Sequence, residues 1–233
     1  VPLGFPTAAG NVAYPTPHIQ NIKEIPDHEG YIYNLSRVLE TLRSGALKKI
    51  VFSRKCIVTA EEHFDPISYA AYLMETLYQE YFYLFRHGED CHWAGVTPGI
   101  IFRTGNGLGR TKILAGTSKK TSDPETNKQN MLKLASDEKE ITEHDAALYH
   151  MYNTLQAANL GKTEITKNKV ILETPYSYHL RSDITVYLNE RITPFDILHE
   201  IFPPATVWGI PVDITEQVLR ETEPFDREFY SGT

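Results

Sequence analysis

Glu140, Glu143 and His144 stand three and four residues apart in a stretch of helical periodicity, so they share one face. Oxygen ligands placed this way could hold a hard cation such as magnesium. The same spacing also describes a solvated acidic face. Against the apolar stripe of Ile141, Leu148, Tyr152 and Leu155, Glu143 points almost the opposite way. Lys48 and Lys49 precede a strand that looks buried, and neighbouring strand residues face opposite sides, so one of the two can point inward. Burial favours a neutral amine, which can act as a base; more often such a lysine lies at a strand end in solvent. Leu114-Ala115-Gly116-Thr117 reads as a strand running into a turn whose free amides could hold a carboxylate. His179 reads as packed or hydrogen-bonded rather than catalytic. There is no P-loop, GxSxG or HExxH.

Elements must position these residues. Residues 1–27 hold Pro2, Pro6, Pro15, Pro17 and Pro26 and read as an irregular lead-in, with a single domain expected over 28–233. Tyr31, Leu35, Val38, Leu39 and Leu42 mark a helix that Gly45 stops. A strand is expected from Lys49 through Arg54 to Val58, and Asp65-Pro66 opens a helix carrying Tyr69, Leu73 and Leu77. Short strands are expected at Tyr81–Arg86, His92–Val96, Ile100–Thr104 and Thr111–Ala115, with Gly105-Asn106-Gly107 as a tight turn. One helical region runs from Asn127 to Leu160. Strands follow at Val170–Glu173 and Ile184–Leu188, then short helices opened by Thr193-Pro194 and by Asp213. Strands and helices mix without regular alternation, which predicts an α+β fold class.

The 233 residues suffice for a sizeable core. A net charge of -7 argues against a broad nucleic-acid surface but leaves room for a small anionic ligand. Cys56 and Cys91 form no CxxC pair and no metal-ligand spacing, which fits a reducing cytoplasm. No apolar run is long enough to span a bilayer, and Val1–Gly4 does not begin a signal peptide.

Six segments in order resemble the chorismate-binding enzymes: Lys49–Arg54 (KIVFSR), Gly95–Phe102 (GVTPGIIF), Leu114–Thr117 (LAGT), Lys139–His144 (KEITEH), Phe202–Pro211 (FPPATVWGIP) and Glu223–Gly232 (EPFDREFYSG). His179-Leu180 fits the family's HL pair. The resemblance implies a four-layer α/β/β/α fold, chorismate as substrate and magnesium as cofactor. Lysine at the place of Lys49 marks the water-using isochorismate and salicylate synthases, and Ala115 stands where aminodeoxychorismate synthases carry lysine. An isochorismate synthase is therefore implied, with menaquinone or siderophore supply as its setting. Lys49 would take the proton from water attacking C2 of the ring. Glu143 would be a magnesium ligand, Gly116 and Thr117 would meet the ring carboxylate, and Tyr230 the enolpyruvyl carboxylate. His179 and Thr206 would line the pocket, and Phe225 and Phe229 would be core. No carrier or glutamine amidotransferase region is appended, which favours a stand-alone synthase, expected as a monomer or weak homodimer, cytoplasmic, with no membrane or nucleic-acid partner.

The sequence departs from the family at three places. Thr97-Pro98-Gly99 replaces an SPE or TPE motif whose glutamate protonates the leaving C4 hydroxyl, and Gly99 cannot donate a proton. Trp208 is bulkier than the small residue usual in its motif. The chain ends at Thr233, where the family continues with an arginine, a glycine-rich strand and a second metal-ligating glutamate, so a C-terminally incomplete catalytic domain is expected.

Overall fold

The computed structural model describes residues 18–61, 65–76, 81–89, 91–97 and 100–230. In chain order they form β1 (Ile19–Ile25), α1 (His28–Arg43), β2 (Lys49–Ile50), β3 (Lys55–Ala60), α2 (Pro66–Thr76), β4 (Tyr81–His87), β5 (Cys91–Thr97) and β6 (Arg103–Gly105). Then come β7 (Leu108–Lys119), α3 (Pro124–Ser136), α4 (Glu138–Ala157), β8 (Gly161–Glu173), β9 (Ser177–Leu188), α5 (Pro194–Ile201), β10 (Gly209–Ile210) and α6 (Val212–Thr222). The mixed α+β class is the expected one. Gly99 and Leu77 lie outside the described residues, as does most of the proline-rich lead-in. Within that lead-in, β1 pairs with β3; a partner strand makes it, not a local signal.

Two compact units divide the chain: residues 1–23 with 57–98, and residues 24–56 with 99–233. In the first, β4 and β5 form an antiparallel hairpin from Tyr81↔Thr97 to His87↔Cys91, and α2 packs on it. A side chain at Gly95 would collide with the Tyr83 ring on the facing strand, so glycine there lets the hairpin close.

The second unit is built on an antiparallel sheet of order β6-β7-β9-β8. Asn106 and Gly107 (φ 53° and 72°) make the two-residue turn between β6 and β7, as the sequence signal predicts. The helix α4 lies across this sheet. Its Ala147, Leu148, Met151 and Leu155 bury against Ile113, Ile184 and Val186, and Ile197 and Ile201 of α5 close the core. Each large aliphatic side chain so buried contributes about 1.5–3 kcal/mol.

Two expectations change here. The helical region of 127–160 is two helices that meet at Asp137, which ends α3 and caps α4 by accepting from the amides of Lys139 (3.0 Å) and Glu140 (3.1 Å). A cap of this kind satisfies two amides that a helix start leaves bare. The strand expected from Lys49 to Val58 is interrupted at 51–54. There, side chains take the backbone groups that a strand partner would use: Ser53 N–H donates to Glu223 (2.8 Å), and the Val51 carbonyl accepts from Arg227 (2.7 Å).

On the near side of that break, β2 pairs with β10, Ile50 opposite Gly209 and Lys49 opposite Ile210. Gly209 allows this closeness, since a Cβ there would sit 2.6 Å from the Lys49 carbonyl oxygen. No helix among the described residues is long and apolar enough to cross a membrane. Cys56 and Cys91 are free and exposed.

Candidate functional site

The strand β7 breaks its register against β9 between Leu114 and Thr117. Leu114 pairs with Arg181 and Thr117 with His179, so Ala115 and Gly116 together face the single residue Leu180. Two residues opposite one make a β-bulge, which re-aims the chain. Gly116 takes φ +84°, where a side chain is strained. The bulge frees two backbone groups, and α4 supplies partners for both. The Ala115 carbonyl contacts Nδ1 of His144 at 2.9 Å, and the Thr117 amide donates to Oε2 of Glu140 at 3.1 Å.

His144 is fully buried, with Nε2 2.7 Å from the Ser182 hydroxyl. It braces α4 on the sheet with both ring nitrogens engaged, and so stands apart from Glu140 and Glu143 in the constellation read from spacing. Glu143 instead meets Lys49, whose Nζ lies 2.7 Å from Oε1. The Lys49 side chain is 10% exposed and that of Glu143 36%, while Lys48 faces solvent. Of the two adjacent lysines, Lys49 is thus the inward one, and the acidic face is not simply solvated. Burial pushes the Glu143 carboxyl up, but the Lys49 ammonium, helped by Lys139, outweighs it and holds the group below its usual range.

The lysine of Lys139 closes the array, 2.7 Å from Glu140 Oε1 and 3.7 Å from Glu143 Oε2. A groove of about 480 Å³ opens beside it, lined by Lys49, Lys139, Glu143, Leu42 and Thr142 among others. His179 sits with Thr117, Nδ1 3.0 Å from the threonine hydroxyl and Nε2 2.8 Å from that of Ser177. Lys49, Glu143, Gly116, Thr117 and His179 therefore gather around α4 and the bulge.

Thr206 and Tyr230 belong to a second cluster, next to the interrupted strand. There Arg227 and Glu223 form a buried pair, with Nε to Oε2 and Nη2 to Oε1 both 2.6 Å. The Arg227 guanidinium also lies over two rings, Trp208 at 5.1 Å and Tyr230 at 5.6 Å. Trp208, the bulky departure, is thus a floor for Arg227; its indole N–H is buried without a partner among the described residues. Thr206 is half-buried in the adjoining turn, next to Val207, whose carbonyl accepts from Arg227. Phe229 is 37% exposed and not core, because Arg227 takes the inward position; Phe225 is half-buried.

Glu140 and Glu143, one helical turn apart, are hard oxygen donors. No group of three possible ligand side chains gathers among the described residues. A magnesium ion typically takes one or two carboxylates and completes its shell with water and substrate, so this donor set fits such an ion.

Burial holds His144, His150 and His179 below the ordinary 6.5, and for His144 the bond to Ala115 only partly opposes this. The unfolded chain takes up these protons near 6.5, the folded one only at lower pH. The unfolded state therefore binds more protons in that window, and stability falls as pH drops below 6.5 through the folded values. Urea midpoints should hold steady above about pH 7 and decline below pH 6.5, with a shallower decline in His144→Gln. An unchanged slope in that variant would remove His144 from the account.

A sequence profile for the family described as chorismate binding enzyme matches residues 8–233. Anthranilate synthase component 1 of Pseudomonas aeruginosa is 27% identical over 205 residues, 88% of this chain and 41% of that protein. Isochorismate synthase MenF of Escherichia coli is 29% identical over 213 residues, 89% of this chain and 48% of that protein. The solved structure of the menaquinone-specific isochorismate synthase MenF from E. coli superposes with a TM-score of 0.78 at 25% identity, covering 92% of this chain and 50% of that one. The chain thus spans about half the length of the proteins it matches.

Proposed function

This chain belongs to the chorismate binding enzyme family, and from that premise we propose that its site carries an isochorismate synthase reaction. In that reaction water adds at C2 of chorismate, the ring double bonds shift, and the C4 hydroxyl leaves. The observation that carries the reading is the inward Lys49, with Nζ 2.7 Å from Glu143 on the helix that docks the β7 bulge. A lysine here would serve as the base that takes the proton of the attacking water, after giving up to solvent the proton that pairs it with Glu143. Glu143, with Glu140 beside it, would hold a magnesium ion, which supplies charge balance for the ring carboxylate.

Thr117 supports the other half of the recognition. Its amide donates to the Glu140 carboxylate, and so is a donor suited to a carboxylate such as that on the ring of a substrate. His179, held between Thr117 and Ser177, would line that end of the pocket. Tyr230, backed by Arg227, would meet the enolpyruvyl carboxylate. Gly99 itself can donate no proton, so the leaving hydroxyl would draw its proton from water or another group and turnover would be slow.

Incubation with chorismate and magnesium, followed by chromatography, tests the reading. Isochorismate should form slowly, and Lys49→Ala should form none. Salicylate with pyruvate would move the assignment to a salicylate synthase, and anthranilate formed on adding ammonia would sink the water-using reading. Magnesium-dependent chorismate binding without any product would instead identify a non-catalytic relative, the reading that Gly99 favours.

A further inference from the structure

We infer that Lys49 is the internal counter-cation of the metal site: its ammonium latches Glu143 while no divalent cation is bound, and a cation that takes the carboxylate must displace it. The inference rests on the proposed magnesium role of Glu143 and adds a second state to Lys49. The two groups lie 94 residues apart in sequence and meet at 2.7 Å, with the lysine side chain only 10% exposed. So short a contact is a charge-assisted hydrogen bond. The ammonium holds Oε1, and a divalent cation taking the same carboxylate would lie close enough for the two to repel one another.

Three further features support this. Lys49 is fixed by its backbone, through pairing with Ile210 in β10, so the side chain reaches Glu143 from a rigid base. The second carboxylate is also latched, by Lys139 at 2.7 Å and by the Thr117 amide at 3.1 Å. Lys139 is 77% exposed, however, and such surface pairs contribute little, whereas Lys49 is the sheltered partner. Glu143 therefore carries the stronger latch. The functional consequence is an interlock: Lys49 is tied to Glu143 until a cation takes that carboxylate.

Calorimetric titration of the folded protein with magnesium chloride alone, with no substrate, tests this. Removing the latch should tighten magnesium binding by about fivefold or more in Lys49→Met, and in Lys49→Gln as a second variant should the first fold poorly. Lys49→Arg, which keeps a cation, should not gain. Lys48→Met, which removes an exposed charge from the same groove, should change affinity less than about twofold. Equal or weaker binding by both neutral variants would overturn the inference, as would an equal gain in Lys48→Met, which would reduce the effect to general repulsion. If neither the unmodified protein nor any Lys49 variant binds magnesium, the metal role of Glu143 itself fails and the inference goes with it. If the unmodified protein binds and Glu143→Gln does not, the metal role stands, and the Lys49 variants alone decide the latch.

Discussion

Replacing Arg227 by methionine lowers the unfolding free energy by about 3–5 kcal/mol. The side chains of Arg227 and Glu223 are 6% and 3% exposed, and they bind each other through two bonds of 2.6 Å. Removing one partner leaves the other as a buried charge, which costs far more than the pair contributes over an apolar pair. Arg227 also donates to the Val51 and Val207 carbonyls, while Glu223 accepts from the amide and hydroxyl of Ser53. The loss is large against a typical total of about 5–15 kcal/mol. Denaturant unfolding of Arg227→Met, Glu223→Gln and the double variant measures it. The double variant should be more stable than the sum of the singles predicts, because it leaves no unpaired charge. A loss below about 1 kcal/mol for Arg227→Met would show that water reaches the pair and that the account is wrong.

Gly99→Glu should raise chorismate turnover by about 10²–10⁴-fold, the usual worth of a positioned acid. Expelling a hydroxyl without a proton leaves a poor leaving group, so the C4–O cleavage is where the missing carboxyl is felt most. The gain should appear in kcat more than in KM, since the acid acts on the transition state and not on the ground-state grip. It should vanish in Gly99→Gln, which has similar size and no proton of suitable acidity. Combined with Lys49→Ala, the restored acid should give little, because in the proposed reaction the two groups serve one step. A Gly99→Glu protein no faster than its parent would mean that the site lacks more than this acid.

Much of this arrangement is legible in the amino-acid order. The Asn106-Gly107 turn, the Thr193-Pro194 helix start and the period of α1 are local, so local signals report them. The break at Asp137 was also written locally: an aspartate followed three residues on by Glu140 is a helix start, but the continuing apolar period hides it. What spacing could not decide was where Glu143 and His144 point. His144 is turned inward by an Ala115 carbonyl that exists as a free acceptor only because β7 bulges, and Glu143 by a lysine 94 residues away. The interruption after β2 is likewise invisible locally, since Arg227 lies 176 residues from the carbonyl that it takes. Non-local polar partners override a strand pattern that any propensity reading would extend.

The two-against-one step at Ala115 and Gly116 has an evolutionary consequence as well. Side chains alternate along β7, so the extra residue sets the phase of everything after it. A gene losing the single codon for Gly116 would let the ladder with β9 run on unbroken, and the sheet could survive. Thr117 would keep its place opposite His179, but the bulge that aims the Ala115 carbonyl at His144 and the Thr117 amide at Glu140 would be gone. Such a protein would keep its sheet and lose the docking of Glu140 and His144 in one event, whereas substitutions elsewhere on the strand leave the bulge in place.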